Sequence, residues 1–342
     1  MDGATLQKTG ERKQWLDFLR GVAMLLVVWE HLATTWTFEF AITGAIKMPL
    51  FFAITGYLFH DRKGNVLLFL KKLFFSIVLP WFLLSLVWLK PFYALLTGHA
   101  GKIPGYFYSF FSGANLWFFP CLILAECIFF LIRKFIKNVY AQYAVMFALA
   151  AAGMLINGGG KVRFALWDNA MIVQAYLLFG YWFRNNEALL CKAVGKWQAG
   201  IPLAVVYAAL VGVTLYFYPG AFIDVHHAKY FNLPICIVMI FVGLLLLFVY
   251  AQKLPRFPRW IVFVGQNTLL FYIGYYWPRS VLSLAERYLH IALPDNVLGY
   301  VVKFVFICVV MSVLALLFNR FLPFAVGKKG GITIKFRKKE TV

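Results

Sequence analysis

The chain has 342 residues, of which 63% are hydrophobic, 19% aromatic and 13% charged, with a formal net charge of +20. A soluble domain carries roughly 25% charged residues, so this deficit excludes an ordinary soluble enzyme and places the chain among multi-span membrane proteins. The cations fall mostly in short stretches between apolar runs, which makes them topology signals and excludes nucleic acid as the partner this charge would suggest in a soluble protein.

Residues 1–13 form a polar lead with Lys8, Arg12 and Lys13. Apolar runs of span length follow at 15–36, 40–59, 67–90, 115–132, 139–156, 167–183, 197–218, 231–251, 260–283 and 297–322. Polar and Gly- or Pro-bearing turns separate them, such as His60-Asp61-Arg62-Lys63-Gly64 and Asn157-Gly158-Gly159-Gly160. With the N-terminus in the cytoplasm, the inside segments hold Arg12/Lys13, Arg62/Lys63, Arg133/Lys134/Lys137, Arg184/Lys192/Lys196, Lys253/Arg256/Arg259 and the basic C-terminal cluster. The outside loops hold few, among them Lys47, Lys102, Lys161, Arg163 and Lys229. A miscounted span would break this alternation. The sequence therefore predicts an all-α, polytopic integral membrane protein of about ten transmembrane helices with both termini cytoplasmic. The lead is 1–13, the transmembrane domain 14–326 and the basic tail 327–342. The first run has span length, is interrupted by Asp17 and Arg20, and lacks a small-residue cleavage signature, so it is expected to be retained. The five cysteines form no metal-ligand spacing and read as packing residues, so no metal is expected.

The first span is the unusual one. It carries Asp17, Arg20, Glu30 and His31, and an ionisable group within a span is a functional-site hypothesis by default. Arg20 and His31 are eleven positions apart, about three full turns, so they share a helix face roughly 16 Å apart along the axis. The topology puts Arg20 near the cytoplasmic surface and His31 towards the outside. A bland account stands beside this: Arg20 snorkelling to headgroups or pairing with Asp17, and His31 as an interfacial hydrogen-bonding residue. Glu30 points about 100° away from His31, whereas Thr34 and Thr35 are spaced to hold its ring.

The run Leu16-Asp17-Phe18-Leu19-Arg20-Gly21-Val22-Ala23 leading to His31 resembles the opening motif of the membrane acyltransferase-3 family, in which an Arg and a His separated by ten residues mark the first span. Met48-Pro49-Leu50-Phe51-Phe52-Ala53-Ile54-Thr55-Gly56-Tyr57 resembles its second-span motif, which more often has Ser where Thr55 stands. Phe69-Leu70-Lys71-Lys72-Leu73 with Pro80-Trp81, Asn115-Leu116-Trp117-Phe118 and Leu178-Phe179-Gly180-Tyr181-Trp182-Phe183-Arg184 also fit, in the expected order. One stretch departs: after Gly265-Gln266-Asn267-Thr268-Leu269-Leu270-Phe271-Tyr272-Ile273 the family often has a His, and this chain continues Gly274-Tyr275-Tyr276.

The resemblance implies a multi-pass enzyme of the cytoplasmic (inner) membrane that moves an acyl group, usually acetyl, from cytoplasmic acyl-CoA to a hydroxyl of a surface glycan or lipid-linked glycan precursor. Acyl-CoA would be a co-substrate, with no permanently bound cofactor. Partners would be lipids and the glycan acceptor, with room for a homo-oligomer. Such transfer needs a base near the acceptor and an anchored CoA. His31 is the base candidate, since imidazole titrates near working pH. Arg20 is the phosphate candidate, because guanidinium binds phosphate bidentately and stays charged. Lys71 and Lys72 are further phosphate candidates and equally plain topology charges. Glu126, deep in the fourth span, is a candidate for orienting His31 or moving a proton, against a neutral carboxyl bonded to a neighbouring helix. Asn115, Trp117 and Asp168 are acceptor-binding candidates, set against interfacial belt and loop solvation. His226-His227 is a weak metal signal with no third ligand. Two rivals remain: a transporter of a lipid-linked saccharide or acylated glycan without acyl chemistry, and a non-catalytic member of an envelope complex.

Overall fold

The computed structural model describes residues 13–32, 43–60, 64–87, 89–114, 116–158, 160, 163–220, 223–290, 294 and 296–328. The lead before Lys13 and the tail beyond Lys328 lie outside them. Among the described residues the chain is helical apart from turns and one isolated antiparallel bridge, Asp224–Lys229. Helix occupies part of each of the ten predicted segments. Among the described residues, five stretches are long and apolar enough to cross a membrane: Val66–Leu96, Val139–Asn157, Trp197–Phe217, Leu233–Ala251 and Val297–Phe321.

The remaining segments are short, charged or broken, and the third, although long and apolar, is irregular. Helix α1 (Gln14–Glu30) has 17 residues and carries Asp17, Arg20 and Glu30. Helix α2 (Lys47–Tyr57) has 11. The third segment runs as α3 (Val66–Leu73), a π-helical turn over Phe74–Val78 and α4 (Leu79–Leu84), followed by α5 (Leu89–Leu96) and α6 (Ile103–Ser112). Helix α7 (Phe118–Phe135) bears Glu126, Arg133 and Lys134, and α8 spans Val139–Asn157. The sixth segment breaks at Val173 into α9 (Trp167–Ile172) and α10 (Gln174–Asn185), followed by α11 (Glu187–Val194). Helices α12 (Trp197–Phe217) and α13 (Leu233–Ala251) come next. The ninth segment breaks at Asn267 and Tyr275 into α14 (Arg259–Gln266), α15 (Thr268–Gly274) and α16 (Tyr276–Leu289), and α17 spans Val297–Phe321.

This division has a physical sense. The long apolar helices α8, α12 and α17 leave wide apolar faces exposed, including Leu155, Tyr216, Val309 and Leu316. Helices α1, α2, α7 and α15 sit inside, where Leu19, Met24, Phe52, Ile54, Phe129 and Phe271 are fully buried, whereas the short α5 and the broken-off α16 expose Phe92, Leu96, Val281 and Leu284. Interrupted helices are tolerated at membrane depth only where protein or a cavity surrounds them.

Apolar side chains gain little from leaving one apolar surface for another, so helix association in lipid depends on close backbone approach at small residues. Two crossings show it. Where α1 meets α14, a Cβ on Gly21 would overlap the Ile261 carbonyl oxygen, and one on Gly265 would overlap that of Asp17. Where α2 meets α10, a Cβ on Gly56 would overlap the Leu177 carbonyl, and one on Gly180 that of Ala53. These are the most extensive helix contacts among the described residues. Arg184 then caps the C-terminal end of α2: its Nη1 donates to the carbonyls of Tyr57, at 3.0 Å, and Phe59. The Tyr57 hydroxyl donates to Glu187 at 2.7 Å, and Lys13 pairs with the same carboxylate at 3.0 Å.

Candidate active site

The α1–α14 crossing turns one face of α1 towards the interior, and that face lines two cavities. The first, about 370 Å³, is lined by Arg20, Thr55, Lys72, Ser76, Glu126, Gln266 and Asn267, among apolar residues that include Phe118 and Phe119. Local irregularity converges on it. Ser76 and Ile77 come from the π-helical turn, and Gln266, Asn267 and Thr268 from the break between α14 and α15. π-turns within helices recur at functional sites because they re-aim side chains. The break is held from outside: Asn267 Oδ1 accepts from Asn319 at 2.9 Å and from Lys328 at 2.8 Å, and Asn267 Nδ2 donates to Phe263 at 2.7 Å. Asp17, one turn before Arg20, is buried and accepts from Gln266 at 3.3 Å. Glu126 is buried within electrostatic reach of Lys72 and Arg20, so two cations and a carboxyl group share one chamber.

The second cavity, about 170 Å³, is lined by Val27, Glu30, His31, Lys47, Met48, Trp117, Asp224, His226, His227 and Tyr272 among others. His31 follows the last turn of α1. Its Nδ1 lies 2.7 Å from the carbonyl oxygen of Val27, which accepts only, so the proton of the neutral ring is on Nδ1 and the Nε2 lone pair remains for a ligand. The rings of Tyr275 and Tyr276 stand 5.1 and 6.3 Å from the imidazole. Glu30 pairs with Lys47, tying the end of α1 to the start of α2.

An outer loop completes this cavity. Asp224 Oδ2 accepts from His227 Nδ1 at 2.6 Å. His226 stacks on Trp117 with ring centroids 4.9 Å apart. Burial, reinforced by His227 and opposed by Asp224, pushes the His226 imidazole down to about 4. Asn169 holds the loop, donating from Nδ2 to the carbonyls of Val225 at 2.7 Å and His226 at 2.6 Å. Asp168 is fully buried beneath it. It accepts from Asn157 at 2.8 Å and from the Asn169 N–H at 3.0 Å, and it pairs with Arg163 at 3.4 Å.

The structure therefore brings Arg20, Lys72 and Glu126 to one cavity and His31 and Trp117 to the other. Glu126 lies in the Arg20 chamber and does not line the His31 chamber. Lys71 is exposed and lines neither cavity. Asp168 lines neither and acts beneath the outer loop. Asn115, with Thr34 and Thr35, lies outside the described residues. Tyr272, Ser76, Asn267 and the Glu30–Lys47 pair were not read as site residues in the sequence. For the Tyr275–Tyr276 pair the signal was present: these tyrosines follow the stretch where the family often has a second His.

Helices long and apolar enough to cross a membrane, packed around buried ionisable groups that face interior cavities, are the features of a membrane protein with an internal polar site. The chain matches the model of the acyltransferase-3 family, described as an acyltransferase domain, over residues 13–320. It belongs to that family and is a membrane acyltransferase. No curated protein and no solved structure matches it.

Proposed function

We propose that the protein transfers an acyl group, acetyl in the first instance, from cytoplasmic acyl-CoA to a hydroxyl of a surface glycan or lipid-linked glycan precursor, in the cytoplasmic membrane with Arg20 on the inner side. One observation carries the reading: a single helix presents Arg20 to one cavity and His31, with its Nδ1 tied to Val27, to the next.

Arg20 and Lys72 bind the CoA phosphates, and the pantetheine arm covers the roughly 16 Å between Arg20 and His31. The acceptor hydroxyl hydrogen-bonds to His31 Nε2. As its oxygen attacks the thioester carbonyl, its proton passes to Nε2 and the new C–O bond forms. The tetrahedral adduct then expels CoA thiolate as the C–S bond breaks, and the imidazolium returns the proton to the sulfur, leaving His31 neutral. Glu126 balances the cations of the first cavity and takes no part in the proton transfer.

The test is turnover of acetyl-CoA by the purified protein in detergent or nanodiscs, with His31→Ala as control. The expected result is CoA release with acyl transfer by the wild type and loss of both in the variant. A wild type that neither binds nor consumes any acyl-CoA would overturn the reading in favour of transport or a non-catalytic role.

A further inference from the structure

Among the described residues, Tyr272 alone lines both cavities. It sits in α15, just beyond the helix break, and its ring is held by Phe118 at 5.4 Å and Phe119 at 5.5 Å. Both phenylalanines line the Arg20 cavity, while the preceding Trp117 lines the His31 cavity. The N-terminal end of α7 and the Tyr272 ring thus form the shared wall.

We infer that the acyl group of the donor thioester lodges against the Tyr272 ring at the junction of the two cavities, and that this ring sets the longest acyl chain the protein transfers. The inference rests on the acyl-CoA reading above. A carbonyl attacked by a hydroxyl on His31 must come within about 3–3.5 Å of that oxygen, whereas the phosphates of the same molecule stay at Arg20 and Lys72. The thioester therefore lies where the two chambers meet.

Beyond the carbonyl, the chain has two directions open to it. The second cavity is only about 170 Å³ and is lined by Glu30, Lys47, Asp224 and three histidines, His31, His226 and His227. Methylenes placed there displace water from charged groups without restoring their hydrogen bonds, which is unfavourable. The other direction ends on the Tyr272 ring, backed by Phe118 and Phe119. Acetyl fits at this wall, and each added methylene meets the ring.

The experiment measures kcat/KM for acetyl-, propionyl- and butyryl-CoA in the wild type and in Tyr272→Phe, Tyr272→Leu and Tyr272→Ala. Monodispersity in detergent shows which variants are folded, and Tyr272→Leu serves if Tyr272→Ala is not. One methylene in an apolar pocket changes selectivity roughly 10- to 200-fold. The butyryl-to-acetyl ratio should therefore rise at least about 10-fold in Tyr272→Ala, rise less in Tyr272→Leu, and stay at the wild-type value in Tyr272→Phe, which keeps the ring. An unchanged ratio in the folded Ala and Leu variants overturns the inference, as does a wild type that accepts butyryl and acetyl equally. A wild type that consumes no acyl-CoA overturns the underlying reading instead.

Discussion

The Nδ1 of His31 and the carbonyl oxygen of Val27 are 2.7 Å apart, one turn apart on the same helix. Orientation of the candidate base is therefore supplied by the backbone of its own helix. The expected outcome of His31→Ala is a loss of roughly 10²- to 10⁴-fold in kcat, the range for removing a general base. Its KM for acyl-CoA should be nearly unchanged, because the proposed phosphate contacts are at Arg20 and Lys72. Steady-state kinetics alongside equilibrium CoA binding checks both halves.

Arg20 and Lys72 should behave in the opposite way. A hydrogen bond to a charged group contributes about 1.5–3 kcal/mol, so Arg20→Ala should raise the KM for acyl-CoA about 10- to 150-fold. Lys72→Ala should act in the same direction. Lys71→Ala should leave KM within about twofold, since Lys71 is exposed outside the cavity. Titration with CoA and with dephospho-CoA separates loss of phosphate contacts from general damage.

The paired glycines make a stability prediction. Gly21→Ala and Gly265→Ala each place a methyl group against a backbone carbonyl of the facing helix. Overpacking of this kind costs about 1–3 kcal/mol or more, so both variants should melt at lower temperature in detergent. Gly212→Ala, in the middle of α12 with no atom near its added methyl, should be neutral or slightly stabilising. Equal melting of all three variants would contradict the crossing geometry.

The outer loop should be sensitive to acid. His226 titrates in the folded protein at about 4, below its ordinary 6.5. Between these values the unfolded chain binds the proton and the folded chain does not, so stability is full above pH 6.5 and falls as pH drops towards 4. Melting temperature measured across this window should decline in the wild type. The decline should be shallower in His226→Gln, which has no group titrating there.

Asn169→Ala should disturb the same loop without touching either cavity directly. It leaves the carbonyls of Val225 and His226 without their Nδ2 donor, and buried unpaired carbonyls cost about 1–3 kcal/mol each. Faster hydrogen exchange at residues 223–230, with α1 unaffected, is the expected readout.

The sequence by itself determined the all-helical class, the membrane setting and the family. Composition, span-length apolar runs and the spacing of Arg20 and His31 are local properties, and they survive without knowledge of neighbours. The shared face of α1 followed from helix geometry alone, and the motif glycines were visible although their purpose was not.

Tertiary structure decided the partners. Glu126 is fixed by helix periodicity to one face of α7, but only packing places that face towards Arg20 and Lys72 instead of His31. Asp168 reads as a loop carboxylate beside an acceptor site, yet it is buried beneath the His226 loop, more than fifty residues away in sequence. The partition of the site at Tyr272 depends on α15, α7 and α1 meeting across the bundle. The physical reason is the same in each case. Periodicity assigns a residue to a face, whereas the choice of which faces meet is made by backbone approach at Gly21, Gly56, Gly180 and Gly265, which involves segments distant in the chain.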